Sequence, residues 1–210
     1  MPYGFAEIEA GLAIIHDIAS EKRTAFVGRL KYLQKQGFLP NANTGRGKAA
    51  SYQAEDAMLL GLALQLCEFG LSPDKAVNVI KRSMGYIAEG VLQATVPNPY
   101  EARSRLLCFS PTSNLEELHA SQESDYGLHF LFLDDWLEGM RIPDKDPAML
   151  IRYGFFSFTG LLVFLPAMMR RRDFDHEKEF WADLRRWAWP IVADHRRGLF
   201  PKAEGEADYG

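Results

Sequence analysis

The chain carries 210 residues, with 24 Lys and Arg against 28 Asp and Glu for a net charge of −4, and 47% apolar and 12% aromatic side chains. That is a globular composition, with apolar material for one large or two small domains. Two cysteines, Cys67 and Cys108, exclude a disulfide framework, and no apolar leader with a basic start and small-residue cleavage site is visible, so a cytoplasmic protein is expected.

In chain order, Glu7 to Ala19 sets Ile8, Leu12, Ile15 and Ile18 at three- and four-residue steps, which predicts an amphipathic helix with His16 and Asp17 beside its apolar stripe. A basic stretch follows. Lys22, Arg23, Arg29, Lys31, Lys35, Arg46 and Lys48 bring seven positive charges, and no acidic residue stands between Glu21 and Glu55. In a chain of net negative charge, such a field calls for an acidic partner. A polyanion suits it, because each neutralised phosphate releases a condensed counterion; a solvated charged face has the same composition.

Within this stretch Phe26, Val27, Leu30, Leu33 and Phe38 recur at helical spacing from Thr24 on, so one side of a helix can be buried while Arg29, Lys31, Lys35 and Gln36 ride on the others. Gly37 suits the left-handed residue that ends a helix, and Phe38-Leu39-Pro40 leaves in extended form. Asn41 to Lys48 is a turn-forming run with glycines around Arg46, and Ala49 to Tyr52 returns as a second short strand, so a hairpin appended to a helix is expected. Ala54 to Phe69 predicts a strong helix stopped by Gly70. Ser72-Pro73-Asp74 caps another, which runs through Ala76, Val77, Ile80 and Met84 and on towards Leu92.

Leu30-Lys31-Tyr32 with Lys35, Gly37, Leu39 and Pro40 resembles the end of the recognition helix and the entry to the wing in MerR-type winged-helix regulators. Tyr52, Asp56 and Met58-Leu59-Leu60 with Leu62 are similar to that family's second strand and following helix, and Phe69-Gly70-Leu71-Ser72 with Ala76 and Ile80 to its next turn and helix. The resemblance spans roughly residues 10 to 82. It implies a helix in the DNA major groove with Arg29, Lys31 and Tyr32 facing bases or phosphates, Lys22, Arg23 and Lys35 on the same basic surface, and Arg46 and Lys48 at a wing tip on the flanking backbone or minor groove. Ala25 and Phe26 stand where the family has a Val-Ser type of start, and no sustained heptad pattern follows the winged region.

Pro97-Asn98-Pro99 then breaks the chain, and a domain boundary is expected between Gly85 and Pro99, separating 1–88 from 100–200. Residues 1–85 hold ten basic and eight acidic side chains, net +2, and 86–210 hold fourteen and twenty, net −6. The second part has short apolar runs at 105–109, 128–133, 153–158 and 161–165, the signature of buried strands, although runs this short also fit buried helix turns, and a terminal helix from Phe174 to Ala193. The segment Phe155 to Met169 is short of the roughly 20 residues that span a bilayer, so it reads as a core element and no membrane partner is expected. Phe130, Phe132, Trp136, Phe155, Phe156, Phe158, Phe164, Trp181, Trp187 and Trp189 form a core, or in part line a pocket for a small apolar ligand. Arg170-Arg171-Arg172 precedes a run of acids and reads as a solvated helix start.

No close pair of Cys or His has metal-ligand spacing, Gly45-Arg46-Gly47-Lys48 is too short for a phosphate loop, and there is no nucleophile elbow, so no catalytic residue, metal or cofactor is expected. The whole reads as an α+β protein: an N-terminal winged helix-turn-helix, then a mixed α/β C-terminal domain for dimerisation, ligand response or partner contact. Its expected role is sequence-specific binding of double-stranded DNA as a homodimer to regulate transcription, two half-sites extending what one helix can read. The competing class is a protein-interaction adaptor or antirepressor that sets the same winged helix against an acidic protein.

Overall fold

The computed structural model describes residues 2–42, 51–96, 106–111, 128–139, 153–169 and 174–199, and over these the chain is mostly helical with one small antiparallel sheet, an α+β architecture. In order come α1 (Phe5–Ile15), a 3₁₀ turn (Ser20–Lys22), α2 (Arg23–Lys35), α3 (Ala54–Glu68), α4 (Pro73–Arg82) and α5 (Met84–Thr95). Strands β1 (Leu106–Pro111) and β2 (His129–Phe132), helix α6 (Leu133–Gly139), strand β3 (Tyr153–Ser157) and helices α7 (Phe158–Met169) and α8 (Phe174–Leu199) complete it.

Helix α3 organises the rest. It is apolar nearly all round, and such a helix is stable only when surrounded. Every residue from Ala54 to Leu64 is buried, with α2, α4, α7 and α8 packed about it. Of the two helices around Gly70, the first stops and the second starts as local chemistry dictates. Ser72 Oγ accepts from Lys75 N at 3.3 Å, with Pro73 in the first turn. The second of them, however, stops at Arg82 instead of running on. Ser83 is buried and its hydroxyl accepts from Leu128 N at 2.8 Å, and α5 begins afresh beyond it.

The sheet has the order β2-β1-β3, with Leu107 opposite Leu131 and Ser157, and Cys108 opposite Phe130 and Phe156. Alternation along β1 therefore turns Leu106, Cys108, Phe130 and Phe156 to one face. Phe130 meets Phe158 edge-on at 4.9 Å, and Phe156 lies 6.0 Å from Phe69. Three of the four apolar runs expected as strands are these strands. The fourth, Leu161 to Leu165, is helical and lies within α7. Its apolar residues extend from Phe158 to Met169 and bury Phe158, Leu161, Leu162, Leu165 and Met169 at helical steps, a length that suits a helix better than a strand. Pro166 inside it leaves the Leu162 carbonyl without its helical donor, and Trp181 Nε1 on α8 supplies one at 2.9 Å.

The sequence places a boundary between Gly85 and Pro99. The structure carries α5 through those positions to Thr95 and lays it antiparallel along α8, where Arg185 Nη1 donates to Thr95 O at 2.7 Å and Arg196 pairs with Glu89 at 3.1 Å. Gly85 permits the approach, for a Cβ there would run into the His195 ring. With α1 packed along α7, both halves of the chain feed one hydrophobic core that runs from Tyr3 to Val192. No helix among the described residues is long and apolar enough to cross a membrane.

Candidate nucleic-acid interface

Helix α2 is where the basic stretch becomes geometry. Phe26, Leu30 and Leu33 are buried, and at 100° per residue Thr24, Gly28, Lys31 and Lys35 project from the opposite side. Arg29 and Tyr32 stand on the shoulder between, both exposed, and Lys22 is exposed in the 3₁₀ turn just before the helix. Burial pushes the Cys67 thiol on α3 up, and the positive charge of Arg29 opposes that rise. Among the described residues none of Lys22, Arg29, Lys31 and Lys35 forms an ion pair. Nothing described comes within 4 Å of a Cβ built on Gly28, so bare backbone is presented between these cations.

Arg23 stands apart from this set. Its guanidinium clasps Glu9 of α1 through Nη2 at 2.8 Å and Nε at 2.7 Å, a fork that locks α2 to α1 and leaves Arg23 a structural cation. Arg46 and Lys48 lie outside the described residues.

Three further contacts fix α2. Gly37 ends it at φ 64°, a left-handed conformation that a side chain would strain. Gln34 Nε2 donates to the Tyr52 hydroxyl at 2.7 Å. From α4, Lys81 Nζ donates to Gln36 O at 3.0 Å, setting a cation at the negative end of the α2 dipole, while Asp74 accepts from the Tyr32 hydroxyl at 3.1 Å. That acceptor raises the Tyr32 pKa above its ordinary value, through the hydrogen bond first and the carboxylate's charge second.

The two stems of the segment 43–50 converge on one carboxylate. Asp56 Oδ1 accepts from Asn41 N at 3.3 Å and Oδ2 from Gln53 N at 2.9 Å, while Glu55 Oε1 takes Asn41 Nδ2 at 2.8 Å. Burial raises the pKa of both acids. The expected hairpin is not formed by the described residues. Phe38 and Leu39 sink into the core without strand geometry, and Tyr52 pairs instead with Tyr3, each accepting from the other's N–H, at 2.7 and 3.1 Å.

The sequence reading thus finds α2 and its free cations but misses Glu9, Asn41, Asp74 and Lys81. Each acts through a tertiary contact with no local signal except the helix-start position of Asp74. Among the described residues no group of three or more His, Cys, Asp or Glu is placed to hold a metal ion. The chain matches no family model and no curated protein.

Proposed function

We propose that this protein binds double-stranded DNA in a sequence-specific way and regulates transcription, with α1 and α2 as a helix-turn-helix, α2 in the major groove and the basic segment that holds Arg46 and Lys48 as its wing. The observation that carries this reading is the outward face of α2. Lys31 and Lys35 are exposed there beside a glycine that lets a backbone come close, with Arg29 exposed on the shoulder and Lys22 in the turn before the helix, and none of the four has a described ion pair. Structural cations are paired; cations left free on one face of a rigid helix suit phosphates. Asp56, which ties both stems of the 43–50 segment to the start of α3, gives that segment a fixed root beside α2. The protein acts as a homodimer, which doubles the few base pairs one helix reads.

The test is a fluorescence-anisotropy titration against a random duplex pool at two salt concentrations, with selection and sequencing of the bound fraction. An enriched motif is expected, with a log–log salt slope of roughly −0.9 for each phosphate met. Arg29→Ala should weaken specific binding by about 1–3 kcal/mol. Absence of binding at either salt would transfer the face to an acidic protein partner.

A further inference from the structure

Tyr32 is the one aromatic on the exposed side of α2, and its hydroxyl hydrogen is already committed. It is shared between Asp74 Oδ1 at 3.1 Å and Oδ2 at 3.3 Å, across 42 residues of sequence. A hydroxyl has a single hydrogen to donate. While that proton rests on Asp74, the phenol has none for a phosphate oxygen, nor for the N7 or O6 acceptors of guanine. What the pair presents outward is acceptors: the remaining lone pairs of the carboxylate and of the phenol oxygen.

A carboxylate on a face meant for phosphates is an electrostatic burden, since it repels the backbone that Lys31 and Lys35 attract. Its position agrees with a different target. In the major groove only two groups donate, the N4 amino group of cytosine and the N6 amino group of adenine. Tyr32 is one turn from Gly28, where α2 has no side chain and nothing described fills the space, so a base edge can approach the phenol along the helix surface.

We propose that Tyr32 and Asp74 act together as a base-reading pair that selects an amino-bearing base, cytosine or adenine, at one position of the site, with Asp74 as acceptor and as the group that orients Tyr32. This rests on the DNA-binding reading above and adds to it a chemical preference. Asp74 is the cost in overall affinity that makes the preference possible, because the same charge repels a phosphate or a carbonyl edge.

The experiment uses the full chain and the duplex enriched from the random pool, with each base pair replaced in turn. Wild type should show one position where loss of the amino-bearing base weakens binding roughly 5- to 150-fold, the range of a good base contact. Asp74→Ala should bind all four bases there alike, within about twofold, while overall affinity rises because an acid has left a phosphate-facing surface. Asp74→Asn keeps an acceptor for the phenol but adds an N–H₂ donor, and should shift the preference towards guanine or thymine. Tyr32→Phe combined with Asp74→Ala should remove no more discrimination than Asp74→Ala alone. A merely structural tie between α2 and α4 would instead lower affinity for every sequence equally and leave the position profile unchanged. An enriched motif whose profile is the same for wild type, Asp74→Ala and Asp74→Asn would overturn the pair while leaving DNA binding intact. A pool with no enriched motif removes the DNA reading and this inference with it.

Discussion

Helices α2 and α8 are both rich in cations, and the two sets have different surroundings. On α8, Lys178 lies 3.7 Å from Asp175, Arg186 meets Asp183 at 2.7 Å, Arg196 meets Glu89 at 3.1 Å, and Arg185 donates to the Thr95 carbonyl. Each is answered from its own helix or from α5. On α2 only Arg23, at the very start, has such an answer, from Glu9. Lys31 and Lys35 face outward and Arg29 is exposed on the shoulder of the helix, and none of the three has a described ion pair. On α8, Arg185 and Arg196 help hold the helix to α5, and on α2 every cation but Arg23 is left without a described ion pair. The comparison separates two kinds of residue that composition alone merges, and substitutions on the two helices should fail in different assays.

The largest effect belongs to the α8 side. Trp181 is buried against α7, and its indole N–H is the donor that answers the Leu162 carbonyl freed by Pro166. Trp181→Ala removes a large core side chain, about 3–5 kcal/mol, and leaves a buried carbonyl without a partner. Denaturant unfolding should show this loss, and the DNA affinity of the fraction that stays folded should be unchanged. A variant that unfolds normally but no longer binds would erase the distinction between the helices.

On the α2 side the pattern should reverse. Replacing Lys31 and Lys35 together with Ala should leave the unfolding free energy within about 0.5 kcal/mol of wild type, as is usual for exposed positions without partners. Affinity for duplex DNA at about 0.1 M salt should fall roughly 100-fold, about tenfold for each lost phosphate contact, and the salt slope should flatten by nearly two units. Equal affinity of variant and wild type would show that these cations are a solvated face and nothing more.

Gly28 sharpens the comparison further, because there stability and binding should move in opposite directions. A glycine in a helix interior costs about 1 kcal/mol relative to alanine, and Gly28 has open space around its missing Cβ. Gly28→Ala should therefore raise stability by up to about that amount. If the bare backbone serves the approach of a duplex, the same change lowers DNA affinity. A variant gaining both would mean that the partner does not come close at this point.

What could be read from the sequence follows from how local each signal is. The apolar stripe of α2, the left-handed Gly37 and the Ser72-Pro73 start of α4 are each decided within a few residues, and the structure has them where the spacing puts them. Leu161 to Leu165 stays open in the sequence because a run that short fits a strand and a buried helix equally well. Pro166 in α7 is accommodated by a tryptophan on another helix. Ser83 ends α4 through a hydrogen bond to Leu128, 45 residues away. The site divides along the same line. Exposure of Lys31 and Lys35 follows from helical period, whereas Arg23 was indistinguishable from them until α1 brought Glu9 against it.

Glu55 is where the two regions meet, and it provides the smallest and most specific prediction. It stands at the start of α3, holds Asn41 at the root of the basic segment, and feels the charge of Asp183 on α8. Burial first, and then the neighbouring acids Asp56 and Asp183, raise its pKa, against the hydrogen bonds to Glu55 that lower it. A carboxyl raised in the folded state takes up its proton at higher pH than the same group in the unfolded chain. The folded form therefore carries a burden above the raised value. That burden is relieved as pH falls through it, and the relief is complete below the unfolded value, near 4.3 for glutamate. Mild acid should thus stabilise the protein through this group, opposite to the usual carboxylate. Glu55→Gln keeps an oxygen for Asn41 and removes the charge. It should raise the unfolding free energy at pH 7 by less than about 1 kcal/mol and flatten the gain as pH falls towards about 4.3. A lower value at pH 7 would instead mean that the ionised carboxylate is itself stabilising, held by Asn41 more strongly than burial opposes it.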